Sequence, residues 1–128
     1  VLEHKRWERH PQQVILCWHG VPEGRKVDQD ERRRARAIYA RELGALIDQH
    51  TAAGRVVWLI GDTNIRGDQW RPKMERPWRF WWLAGDRIDK VGVAIPDGVQ
   101  LSHRESTEFD APTDHGRGIL ARAGIVRV

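Results

Sequence analysis

Apolar and polar residues fall along the chain in blocks whose period changes, and the blocks predict the elements. Residues 14–18 form a short, continuous apolar run that ends at His19-Gly20. Such a run predicts a buried strand stopping at a turn, with Cys17 inside it as a small buried hydrophobe. Pro22 and Gly24 make residues 21–27 a loop. From residue 28 to 53 the period becomes helical: Tyr39, Leu43, Leu46, Ile47 and His50 keep the spacing of one buried face. Asp28 and Glu31 stand at capping-box spacing, and Gly54 supplies a stop. Residues 55–60 are a second apolar run, ending at Gly61-Asp62. Strand, long helix and strand in this order predict a crossover unit with two parallel, neighbouring strands.

Residues 65–86 are rich in Trp, Arg and Pro and show no regular period. They read as a long irregular loop, which in a compact domain is usually functional. Residues 87–95 and 99–107 alternate on either side of Pro96-Asp97-Gly98, the pattern of a β-hairpin. A last strand covers 119–128. The expected fold is therefore α/β (α+β), a single domain over 1–128. Its mixed sheet would carry strands 14–18, 55–60, 87–95 and 119–128, with the one long helix packed on a face. Residues 1–12 are a charged lead-in without periodicity.

Composition narrows the class. Of the 128 residues, 40% are hydrophobic and 31% charged, which excludes a disordered chain and fits one packed core. No apolar run approaches the ~18 residues of a membrane span, and no signal peptide is visible, so a cytoplasmic location is the default expectation. One cysteine cannot form an internal disulfide. The formal charge of +4 favours polyanionic partners such as nucleic acid or phosphorylated substrates. Seven tryptophans are many for this length. Trp70, Trp78, Trp81 and Trp82 suit either a base-stacking platform or packing that anchors the long loop. The run Glu31-Arg32-Arg33-Arg34-Ala35-Arg36 suits phosphate binding or, more simply, a solvated helix face, and His4, His10, His50 and His103 read as structural or solvated residues.

The candidate chemistry sits where apolar runs stop. Asp62 and Asn64 follow one strand and His19 ends the strand expected beside it. In open α/β sheets ligands collect outside the carboxyl ends of strands. A carboxylate there can hold Mg²⁺, a hard ion that prefers oxygen ligands and keeps several waters. A second can position or deprotonate an attacking water, and an Asn amide can donate to a phosphate oxygen as charge builds on it. A His oriented by a carboxylate can move a proton.

Gly61-Asp62-Thr63-Asn64, Arg87-Ile88-Asp89 and Thr113-Asp114-His115 occur in this order, each at the end or start of an apolar strand. Together with the run ending in His19, they resemble the Gly-Asp-x-Asn, Arg-Ile-Asp and Ser-Asp-His motifs of the endonuclease/exonuclease/phosphatase superfamily. The resemblance covers about residues 13–128. It implies that the chain is the C-terminal part of a four-layer α/β/β/α sandwich acting as a Mg²⁺- or Mn²⁺-dependent phosphodiester hydrolase, a nuclease above all.

The resemblance also implies a role for each residue. Asp62 would activate the water, with metal contact. Asn64 would hold the phosphate, and Asp114 the metal. His115 would take part in proton transfer, with its tautomer fixed by Asp89. His19 would contact the phosphate or act as the leaving-group acid. Thr63, Lys90 and Thr113 depart from the usual residues of these motifs. Family members also carry an Asn and a metal-binding Glu on earlier strands, whereas Glu3 and Glu8 lie in the charged lead-in. These 128 residues alone are thus expected to be much less active than a complete domain. The alternatives are a non-catalytic nucleic-acid-binding module of this fold, or a phosphomonoesterase or lipid-headgroup phosphatase.

Overall fold

The computed structural model describes residues 10–20, 28–84 and 87–128. The charged lead-in before residue 10, with His4, Glu3 and Glu8, and the expected loop 21–27 lie outside the described residues. Among these residues the protein is a mixed α+β structure with one α-helix and two sheets. No described helix is long and apolar enough to cross a membrane.

The crossover unit forms as the periodicity indicated. Strand β1 (Gln13–His19) leads to helix α1 (Gln29–Ala52) and back to β2 (Val56–Asp62), which pairs parallel to β1. The side chain of Asp28 caps α1 by accepting the Asp30 N–H. Gly54, at φ 80°, ends it in the left-handed conformation that glycine adopts without strain. Leu43 and Ile47 are buried against Val57 and Leu59 of β2, and Tyr39 packs at their margin. Leu46 falls off this face and is exposed.

The other expected pairings are corrected. Residues 80–84, inside the stretch read as a loop, form strand β3 (Phe80–Ala84), entered through a 3-10 turn at Pro77–Arg79. Strand β4 (Asp89–Ala94) does not form a hairpin with the residues that follow. It lies antiparallel between β2 and β3, giving the order β1-β2-β4-β3. Strand β5 (Val99–Asp110) pairs instead with β6 (Arg117–Arg127) in a separate two-stranded ribbon, so the last strand does not join the first sheet. The Pro96-Asp97-Gly98 turn therefore passes the chain from one sheet to the other.

Strand alternation assigns the faces. The α1 face carries Leu16, Trp18, Val57, Leu59, Phe80, Trp82 and Ala94. Trp18, Trp70 and Trp82 stack there, with centroids 5.1 and 6.4 Å apart, and the Trp82 indole N–H donates to the Trp70 carbonyl. This is the anchoring role considered for Trp70 and Trp82. Trp81 packs on the opposite face, while Trp78 is exposed beneath the Arg79 guanidinium. The opposite face is only partly covered. The base of the ribbon, at Val99, Leu101 and Ile125, packs on Val56, Trp58 and Val93. Farther along, Ile15 is 63% exposed and Cys17 is exposed, contrary to the expectation of a fully buried strand. A continuous apolar run signals burial on both faces, but here only alternate residues of β1 are covered by the helix.

Candidate active site

The register of the sheet builds the site. His19 of β1 lies opposite Asp62 of β2, and Asp62 lies opposite Asp89 of β4. Cross-strand partners project to the same face, so these three residues form one polar row across three adjacent strands, on the face away from α1. Two apolar rows continue it down the same face, Cys17–Ile60–Val91 and Ile15–Trp58–Val93.

His115 reaches this row from the ribbon. The connection between β5 and β6 is a tight turn, in which the Thr113 N–H donates to the Ala111 carbonyl and the Gly116 N–H to the Thr113 carbonyl. Gly116 takes φ 70°. The turn presents His115 so that its Nδ1 lies 2.6 Å from Asp89 Oδ2 and its Nε2 lies 3.6 Å from Asp62 Oδ2. His19 Nε2 stands 3.6 Å from the same Asp62 oxygen. Both imidazoles thus converge on Asp62 Oδ2 at a separation too long for a hydrogen bond but suited to an ion pair.

The other Asp62 oxygen has a different task. Oδ1 accepts the Asn64 N–H at 2.9 Å, and the Asn64 amide donates to the Gly20 carbonyl at 3.0 Å. Asn64 adopts φ 52°, a left-handed conformation that Asn tolerates through such local bonds. The amide is therefore committed to the backbone beside β1. Gly20 permits this closeness, since a Cβ there would stand 2.0 Å from the Thr63 carbonyl oxygen.

Of the residues singled out in the sequence, Asp62, Asp89 and His115 come together most closely, each offering a ligand atom within 4.8 Å of the others. His19 faces the same oxygen. Asp114 lines the same cleft but is not a member of that cluster. Asn64 and His19 are not among the residues that line this cleft. The cleft has a volume of about 680 Å³ and extends from the polar row along the apolar one, walled by Ile15, Trp58, Ile60 and, from the ribbon, Ile119 and Ala121.

Electrostatics favour the protonated ring. The hydrogen bond to Asp89 raises the His115 pKa above 6.5, reinforced by the Asp89 charge, opposed by desolvation, and reinforced again by Asp114 and Asp62. With Nδ1 directed at Asp89, Nε2 is left facing the cleft, where it can hold or deliver a proton.

A residue the motifs did not single out for the site is Lys90. Its side chain is buried and bonds to Thr63 Oγ1 at 3.0 Å, to the Arg87 carbonyl at 2.5 Å and to the Ile65 carbonyl. The sequence did carry a signal, since Thr63 and Lys90 are both departures from the motif pattern.

The chain matches no known protein-family model, no curated protein and no solved structure.

Proposed function

We propose that the chain carries the metal-dependent catalytic site of a phosphodiester hydrolase, most readily a nuclease, resembling the endonuclease/exonuclease/phosphatase superfamily. The observation that carries this reading is the convergence of His19, Asp62, Asp89 and His115 at one end of the sheet, with Asp89 2.6 Å from His115. Strand register aligns His19, Asp62 and Asp89, and His115 joins them from the ribbon, outside that register.

The donor chemistry suits Mg²⁺ or Mn²⁺. Asp62 and Asp114 supply hard oxygen donors on an open cleft, which leaves room for the waters such an ion keeps. Asp89 serves His115 first, because one of its oxygens is taken by the ring. The ion would polarise a phosphate oxygen and lower the pKa of a bound water. Asp62 would orient the water, and the His115 Nε2 would donate to an oxygen on which negative charge builds. His19 would contact the phosphate. The Asn64 amide, turned to Gly20, would have to leave that carbonyl to reach a substrate.

In this reading the open face of the first sheet, with Ile15 exposed on it, is an inner layer of a four-layer sandwich. The test is cleavage of supercoiled plasmid and of a small aryl phosphodiester with and without Mg²⁺ or Mn²⁺. Expected is hydrolysis that chelation abolishes and that His115→Ala reduces. Binding of nucleic acid without any metal-dependent cleavage would favour the non-catalytic module. Cleavage of phosphomonoesters alone would move the substrate class.

A further inference from the structure

We propose that Lys90 is the positioning residue of this site, a buried clamp that fixes the strand end bearing Asp62 and Asn64 to the strand start bearing Asp89. The inference rests on the hydrolase reading for its consequence, but the clamp itself is a property of the fold.

Lys90 follows Asp89 in β4, so its side chain leaves the sheet on the face opposite the polar row. It is 2% exposed. A buried ammonium persists only when its three N–H groups find acceptors. Lys90 meets Thr63 Oγ1, the Ile65 carbonyl and the Arg87 carbonyl. Thr63 and Ile65 flank Asn64 in the turn after β2, while Arg87 lies just before β4. One ammonium thus ties together two segments more than twenty residues apart in sequence.

Thr63 completes the tie. It is 1% exposed. Its N–H and its hydroxyl both lie 2.7 Å from the Ile88 carbonyl, and its oxygen accepts the Ile65 N–H at 3.2 Å. The turn that holds Asn64 in its left-handed conformation is therefore bonded at each flank to the segment that delivers Asp89. Asp62 and Asp89 are neighbours in register, but strand pairing stops at them. Beyond that point the Lys90–Thr63 pair takes over the task of holding the two strand ends together. Removing the ammonium takes this donor from the Ile65 and Arg87 carbonyls and from the Thr63 oxygen at once, which favours opening of the turn.

The test combines amide exchange with metal binding. In the unaltered chain the Ile65 amide should be as protected from exchange as the Leu59 amide in β2. Free exchange at Ile65 would overturn the clamp without any variant being made. In Lys90→Met, exchange at residues 63–66 should quicken by at least ~10-fold relative to β2, and Mn²⁺ affinity, read by water-proton relaxation, should fall by about 10-fold. Faster exchange with unchanged Mn²⁺ affinity would reduce Lys90 to a structural residue and overturn the proposal. Should Lys90→Met fail to fold, Thr63→Ala and Thr63→Ser replace it. The alanine form should show both effects and the serine form, which keeps the hydroxyl, neither. Equal behaviour of the two would overturn the clamp. If the unaltered chain binds no Mn²⁺ while the exchange pattern holds, the hydrolase reading falls and the clamp stands.

Discussion

Asp89 Oδ2 lies 2.6 Å from His115 Nδ1, although the two residues come from different sheets. The bond spans the cleft between the first sheet and the ribbon and sets the ring's orientation. In metal-free protein, with a chelator present, the His115 pKa measured by NMR should lie above 6.5. Asp89→Asn should bring it down, since both the charge and the favoured hydrogen bond are lost. The linkage has a definite sign. A folded-state pKa raised above the unfolded one adds stability that is fully present below the unfolded value. That stability is lost as pH rises through the folded value. Denaturation midpoints of the native chain should therefore decline as pH rises through the raised His115 pKa, and this decline should be smaller in Asp89→Asn.

Activity should depend on His115 and on Asp62. His115→Ala and Asp62→Asn should each lower kcat by about 10²–10⁴-fold, the range for a positioned acid–base group. Both act on charge that develops in the transition state, so kcat should fall more than KM rises. An unchanged kcat in His115→Ala would remove the ring from the chemistry.

Gly44 offers a test of the fold that keeps clear of the site. In a helix interior Gly→Ala ordinarily stabilises by about 1 kcal/mol. Here the residue is buried, and a Cβ would stand 2.0 Å from the Lys73 carbonyl oxygen. That backbone is held close to α1, since the Lys73 N–H donates to the Ala40 carbonyl at 2.7 Å. Gly44→Ala should therefore destabilise, by about 1–3 kcal/mol as overpacking does. A urea midpoint at or above that of the native chain would show that the segment can move away at little cost.

The sequence revealed the crossover unit because its strands are continuous apolar runs and its helix keeps a long, capped period. It misplaced the later strands for identifiable reasons. Phe80–Ala84 has three aromatics in five residues and follows Pro77, so neither alternation nor length marked it as a strand. Pro96-Asp97-Gly98 has the residues of a tight hairpin turn, but Ile95 and Val99 are both buried in one cluster beneath the ribbon. The chain there changes sheet instead of folding back on its own strand. Cys17 was placed inside because the run around it is apolar throughout, yet coverage of its face depends on the ribbon, whose path no local pattern encodes.

The candidate residues could be picked out because Asp, Asn and His stand where apolar runs stop, in the order of the three motifs. Their closeness was less legible. Three-strand register aligns His19, Asp62 and Asp89, and that register follows from the parallel and antiparallel pairing together. Lys90 went unassigned because a lysine in a short alternating strand reads as a solvent-facing residue, and its acceptors lie more than twenty positions away.

Metal binding should separate the carboxylates. The resemblance assigns the ion to Asp62 and Asp114, while the tightest geometric cluster is Asp62, Asp89 and His115. Asp89 is a poor candidate on physical grounds, because its nearer oxygen is bonded to the His115 ring, and that hydrogen bond, with the Asp89 charge, favours the protonated imidazole. A cation beside that ring meets like charge. Asp62→Asn and Asp114→Asn should each weaken Mn²⁺ binding by at least about 10-fold, or ~1.4 kcal/mol, whereas Asp89→Asn should weaken it less. Affinity in the native chain should rise as pH increases through the His115 pKa, since losing that proton removes the repulsion. Titration of the four proteins at two pH values, followed by relaxation enhancement, decides between the arrangements. A loss in Asp89→Asn that exceeds the loss in Asp114→Asn would place the ion on the Asp62–Asp89–His115 cluster and free Asp114 for another role.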